Sequence, residues 1–85
     1  MYRLETTNAF EKSLKRLTSH EQRIVALKLL TLRSDPFHPS LRTKKVRKFN
    51  DTFESSVNMD IRILWKHEGD RIILIINVGH HDILP

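Results

Sequence analysis

The sequence predicts a small α+β domain in which consecutive antiparallel strands are backed by two helices. Three observations predict it. From Phe53 onward apolar and polar residues alternate with a period of two, the signature of a pleated strand with one buried face. Between Asn8 and Ser34 the apolar residues recur instead at helical spacing. Between these regimes lies Asp35-Pro36-Phe37-His38-Pro39, where each proline restricts its predecessor and lacks a backbone donor. The expected order is β-α-α-β-β-β over residues 1–85 as a single domain, with an antiparallel sheet and both helices packed on one of its faces.

Tyr2 to Thr6 alternates briefly and reads as an edge or inserted strand. Asn8 followed by Glu11 has the spacing of a helix cap with its reciprocal acidic partner, and Phe10, Leu14 and Leu17 mark one face of a first helix. Ser19 to Gln22 repeats that arrangement. Ile24, Val25, Ala26, Leu27, Leu29, Leu30 and Leu32 then form a second helix whose apolar face is broad enough to meet both the first helix and a sheet. Thr18-Ser19-His20 is short enough to make the two helices antiparallel.

The stretch from Thr52 to Asp82 organises the rest. Phe53, Ser55 and Val57 alternate with Glu54, Ser56 and Asn58, and Ile61, Ile63 and Trp65 alternate with Arg62, Leu64 and Lys66. A three-residue connection at Asn58-Met59-Asp60 places Ser55 opposite Ile63 and Ser56 opposite Arg62. Gly69-Asp70 suits a two-residue hairpin turn, which sets Trp65 opposite Leu74 and Arg62 opposite Asn77. Continued past Asn77 and Gly79, this parity brings His81 to the open side with Arg62, Ser56 and Glu54. Ile73 and Ile75 are expected to line the lower part of that face. Trp65 is expected inward, in the core; Phe49 and Phe53 could serve either side.

Composition narrows the functional classes. The absence of cysteine excludes disulfide stapling and thiolate metal sites. No apolar run approaches the roughly 18 residues that span a bilayer, and the start lacks the hydrophobic core of a signal peptide, so a cytoplasmic protein with no membrane partner is expected. The net charge of +5 is uneven: the chain up to Lys48 is positive, and from Phe49 on the balance is negative. Arg42, Lys44, Lys45, Arg47 and Lys48 put five cations into seven positions. Such a segment can anchor nucleic acid through its phosphates or contact an acidic protein segment.

Arg62 interrupts an apolar strand with a guanidinium able to hold a phosphate through two parallel hydrogen bonds. His81 can exchange a proton near neutral pH and is a candidate general acid for an RNA 5′-oxygen leaving group. Glu54 has three open roles: orienting His81, accepting a proton from an RNA 2′-hydroxyl, or holding Arg62 by an ion pair. Lys44, Lys45 and Arg47 could stabilise the extra charge of a phosphorane-like transition state. His80-His81-Asp82 does not make a metal site, because adjacent strand residues point to opposite sides and no third ligand has suitable spacing. Gly69 and Gly79 are isolated and form no nucleotide-binding loop. No cofactor and no metal are therefore expected.

The segments FEKSLKRL, DPFHPSLRTKKV, FESSVNMDIRILW and IILIINVGHHDILP, in that order and covering almost the whole chain, resemble the RelE/ParE superfamily of toxins from toxin-antitoxin modules. The resemblance implies the same β-α-α-β-β-β order and an antitoxin partner. RelE-like members cleave messenger RNA in the ribosomal A site without a metal, using the RNA 2′-hydroxyl as internal nucleophile; ParE-like members inhibit DNA gyrase. Arg62 matches the strand arginine associated with phosphate stabilisation in the ribonuclease branch. His81 occupies the C-terminal position where a histidine or arginine contacts the scissile phosphate or leaving group. Glu54 lies in the strand from which some members project catalytic lysines, and Lys44, Lys45 and Arg47 match the basic approach region loosely. The usual tyrosine shortly after HD is replaced by Ile83-Leu84-Pro85. The resemblance thus implies an mRNA interferase, a ribosome-dependent endoribonuclease, with a gyrase inhibitor or a catalytically weak antitoxin-binding homologue as the other readings.

Overall fold

The computed structural model describes residues 1–80. Strand β1 (Arg3–Thr6) is followed by helices α1 (Asn8–Lys15) and α2 (Ser19–Ser34), a single 3₁₀ turn (Pro39–Leu41), and strands β2 (Lys44–Lys45), β3 (Thr52–Ser56), β4 (Ile61–Glu68) and β5 (Ile72–His80). The five strands form one sheet in the order β1-β5-β4-β3-β2. The α+β architecture is as expected, with two corrections. The sheet is mixed, because β1 runs parallel to β5; the two helices form a crossover long enough to permit a parallel neighbour. The basic segment also supplies a two-residue edge strand, β2, which has no apolar alternation to reveal it.

Both helices are capped one residue before the capping pairs read from the sequence. Thr7, not Asn8, caps α1: its hydroxyl accepts the Phe10 N–H at 3.0 Å. Thr18, not Ser19, caps α2 in a reciprocal box, its hydroxyl accepting from the Glu21 N–H at 3.1 Å while Glu21 accepts the Thr18 N–H at 2.9 Å. The cap must be extended and stand three residues before its partner; Thr7 and Thr18 are extended, whereas Asn8 and Ser19 are already helical.

The β3–β4 register is as predicted, with Ser55 opposite Ile63 and Ser56 opposite Arg62. Asn58 builds the connection: its side-chain oxygen accepts the N–H groups of Asp60 at 2.8 Å and Ile61 at 2.7 Å. The β4–β5 register differs. Its turn is one residue longer than predicted, with Gly69 at φ 69°, so Glu68 faces Ile72 and Trp65 faces Ile75 rather than Leu74. A bulge then passes over Ile76, so that Leu64 faces Asn77 and Arg62 faces Gly79. The longer turn inverts the parity and the bulge restores it. Asn77 and Gly79 therefore share the face of Arg62 as expected, whereas Ile73 and Ile75 are fully buried in the core and Leu74 takes the open side. The Ile76 carbonyl, displaced by the bulge, accepts the Thr7 hydroxyl at 2.6 Å.

The core lies between the sheet and the helices: Ile61, Ile63, Trp65, Ile73, Ile75 and Val78 meet Phe10, Leu17, Val25, Leu32 and Leu41. Trp65 is inward as predicted, and Phe53 stacks on it with ring centroids 4.7 Å apart, whereas Phe49 is exposed. The apolar face of α2 is narrower than its sequence indicates. Val25 and Leu32 are buried, but Leu27 and Leu30 are 58% and 59% exposed, because the core meets only one stripe of the helix. No helix among the described residues is long and apolar enough to cross a membrane.

Removing the α2 cap with Thr18→Ala is expected to lower stability by about 1 kcal/mol and the melting midpoint by roughly 4–8 °C, measured by calorimetry. The Glu21 carboxyl is held below its ordinary value, chiefly by the Thr18 N–H, with a smaller effect from His80, whose Nε2 is 3.4 Å away. A depressed carboxylate contributes stability in full above its unfolded value and loses it as pH falls through the lowered folded value. Urea titrations across acidic pH should therefore show a shallower acid-side decline for Glu21→Gln than for the unaltered protein.

Candidate nucleic-acid interface

The sheet turns Ser55, Ile63 and Trp65 toward the helices, so their neighbours Glu54, Ser56, Arg62 and Leu64 point to the opposite face. Lys44 of β2 stands directly opposite Glu54 of β3 and joins this face from the sheet edge. Glu54 is the centre of the patch. It is only 5% exposed, and one of its carboxylate oxygens lies 3.6 Å from Lys44 Nζ and 3.9 Å from Arg62 Nε. A carboxylate so far removed from water is stabilised by adjacent cations. Of the three roles open to Glu54, these contacts match an ion-pair partner of Arg62.

Arg62 is held at a second point. Its Nη1 donates to the Asn58 carbonyl at 2.7 Å and to the Ile61 carbonyl at 3.2 Å, which ties the guanidinium to the β3–β4 connection. Its Nη2 makes no hydrogen bond among the described residues. Beside it lies a cleft of about 260 Å³ lined by Ser40, Arg42, Ser56, Val57, Asn58, Met59 and Arg62. Arg42 reaches that cleft from the residue after the 3₁₀ turn, where its backbone is left-handed at φ 48°. The combination can receive an anion: two guanidinium groups, two serine hydroxyls and an asparagine surround a space wide enough for a phosphate and part of a nucleotide.

The structure thus brings together Arg62, Glu54 and Lys44, and places Arg42 with Arg62 at one cleft. Lys45 is opposite Phe53 and points to the other side of the sheet edge. Arg47 and Lys48 are exposed in the turn before β3 and extend the positive surface. His81 lies outside the described residues. Ser40 and Asn58 were not singled out as site residues from sequence. Asn58 had a readable signal, an asparagine opening a three-residue hairpin connection; Ser40 had none, because it reaches the cleft through the 3₁₀ turn. Among the described residues no group of three or more His, Asp or Glu side chains is arranged to hold a metal ion.

The two cations on Glu54 differ in environment, since the Lys44 side chain is 73% exposed and that of Arg62 only 21%. Lys44→Met is expected to cost less than about 1 kcal/mol. Arg62→Met should cost about 1–3 kcal/mol, because it also leaves the Asn58 carbonyl without its donor. Urea denaturation of the two variants would show this order.

No protein-family model matches the chain, and no curated protein matches it in sequence. Solved structures do match it over nearly its whole length. A metal-bound toxin from Helicobacter pylori superposes with a TM-score of 0.83 at 19% identity, covering 100% of both chains. A chain of the archaeal RelE–RelB complex from Pyrococcus horikoshii gives 0.79 at 17% identity and 98% of both chains. A chain of the Escherichia coli DinJ–YafQ toxin-antitoxin complex gives 0.76 at 18% identity, covering 98% of this chain and 96% of that one. The architecture of the sheet, its two helices and their connections is that of the RelE/ParE-type toxin fold.

Proposed function

We propose that this protein is the RelE-like toxin of a toxin-antitoxin module and that it cleaves messenger RNA on the ribosome. The observation that carries this reading is the anchored Arg62, which shares Glu54 with Lys44 and a polar cleft with Arg42. In the reaction, the RNA 2′-oxygen loses its proton and attacks the adjacent phosphorus. The bond to the 5′-oxygen breaks, and that oxygen leaves with a proton, giving a 2′,3′-cyclic phosphate and a 5′-hydroxyl. The nucleophile belongs to the substrate, so the protein's task is to hold the phosphate, stabilise the added charge and move protons.

Arg62 directs Nη2 at a non-bridging phosphate oxygen, while Glu54 and the Asn58 carbonyl keep the guanidinium from rotating away. Lys44 and Arg42 add positive charge on either side. Glu54 acts as a positioning group, and His81 is the proton donor to the leaving oxygen, a role that rests on the sequence. Arg47 and Lys48 extend the attraction to flanking phosphates, Lys45 adds charge only from the far side of the sheet edge, and binding would weaken as salt rises. The same surface suits the antitoxin: an acidic segment laid over residues 42–48 would neutralise the approach and block the cleft. The RelE–RelB and DinJ–YafQ structures, themselves complexes, support such a partner.

Toeprint mapping on programmed ribosomes tests the reading. The unaltered protein should cut mRNA within the ribosome, and Arg62→Ala and His81→Ala should each reduce cutting at least about a hundredfold with the fold intact. Uncut mRNA would overturn it. Stabilised DNA cleavage by gyrase in a parallel assay would then assign the protein to the gyrase-inhibiting class, and antitoxin binding with neither activity would mark a weakened homologue.

A further inference from the structure

Beneath the site, on the core side of the sheet, four groups from separate parts of the chain form a continuous hydrogen-bonded line. Trp65 Nε1 lies 2.8 Å from Ser55 Oγ, Ser55 Oγ lies 2.7 Å from Thr43 Oγ1, and Thr43 Oγ1 lies 2.7 Å from the Pro36 carbonyl oxygen. The chemistry of the two ends fixes its direction. An indole N–H can only donate and a carbonyl oxygen can only accept. Thr43 therefore gives its single proton to Pro36, so the proton between the hydroxyls must come from Ser55, which in turn accepts from Trp65. Every proton is used, and reversing any bond would leave a buried group unpaired.

The position of this line gives it a consequence beyond the core. Thr43 stands between Arg42 and Lys44, and Ser55 stands between Glu54 and Ser56. All four neighbours belong to the polar patch or its cleft. The strap carrying Arg42 and Lys44 is pinned at its ends by the buried Leu41 and Val46, and between them β2 contributes only two residue pairs to the sheet, so the Thr43 side chain is what fixes its middle. We infer that the Trp65–Ser55–Thr43–Pro36 relay sets the positions of Arg42 and Lys44, making Thr43 and Ser55 positioning residues for phosphate binding. This rests on the reading of the patch as an RNA-binding surface.

The test uses a short single-stranded oligoribonucleotide as probe and equilibrium binding to the intact protein as readout, without ribosomes. Thr43→Val keeps the branched shape and removes the hydroxyl; Ser55→Ala interrupts the same line from the other strand, so one foldable variant suffices. Each should weaken binding about tenfold, as expected for misplacing one or two charge-assisted contacts, whereas Thr43→Ser should stay within about twofold. In a protein already carrying Arg42→Ala and Lys44→Ala, Thr43→Val should have no further effect. The indole N–H resonance of Trp65, the chain's single tryptophan, reports the relay directly and should shift in Thr43→Val while the rest of the spectrum stays folded. Unchanged RNA binding by Thr43→Val, or an equal loss in the doubly substituted background, would overturn the inference. RNA that fails to bind the unaltered protein would overturn the nucleic-acid reading and the inference with it. Relay-dependent binding without ribosomal cleavage would overturn the enzymatic reading alone.

Discussion

A strand that serves a core on one side and a polar site on the other must keep its parity along its whole length, and β5 does so only by passing over Ile76. The bulge changes which residues face Arg62 and keeps Val78 in the core beside Ile63. The carbonyl of Ile76, the residue passed over, accepts the Thr7 hydroxyl. That hydroxyl simultaneously caps α1. A single side chain thus ties the irregularity of the sheet to the start of the first helix, and the packing of α1 against β5 follows from it. The bulged ladder and the helix cap are one constraint, felt on both layers.

Much of this was readable from residues, and the limits have physical causes. Alternation in β3 and β4 was legible because Asn58 opens a connection of fixed length. The β4–β5 turn is one residue longer than its sequence predicts, since Gly69 offers a positive φ to several turn lengths and only the ladder selects among them. Nothing in Ile72–Val78 marks the bulge, because the segment is apolar at both parities. The cap positions were displaced because Thr-Asn and Thr-Ser each offer two capping residues in a row. Leu27 and Leu30 look like core in any list of apolar residues, and only tertiary packing distinguishes them from Val25 and Leu32.

At the site, residue identity was more legible than arrangement. Arg62 stood out because charge in an apolar strand needs a reason, and the structure supplies a buried carboxylate and a carbonyl that hold it. The uniform run of cations between Arg42 and Lys48 hides a division: Lys44 meets Glu54, Arg42 enters the cleft, and Lys45 turns away. Alternation in a strand too short to announce itself separates Lys44 from Lys45, and the left-handed residue that ends the 3₁₀ turn carries Arg42. The hydroxyl relay was invisible for a related reason, since Pro36, Thr43, Ser55 and Trp65 are brought together only by the fold.

Strand β2 has a consequence for the molecule in solution. An exposed sheet edge is a template on which another chain can add, and proteins guard such edges with brevity and with lysine. Here the outer edge is two residues long and both are lysines. The charges at this edge therefore work against copies of this chain stacking edge to edge. Replacing them by apolar residues would turn a guarded edge into an adhesive one.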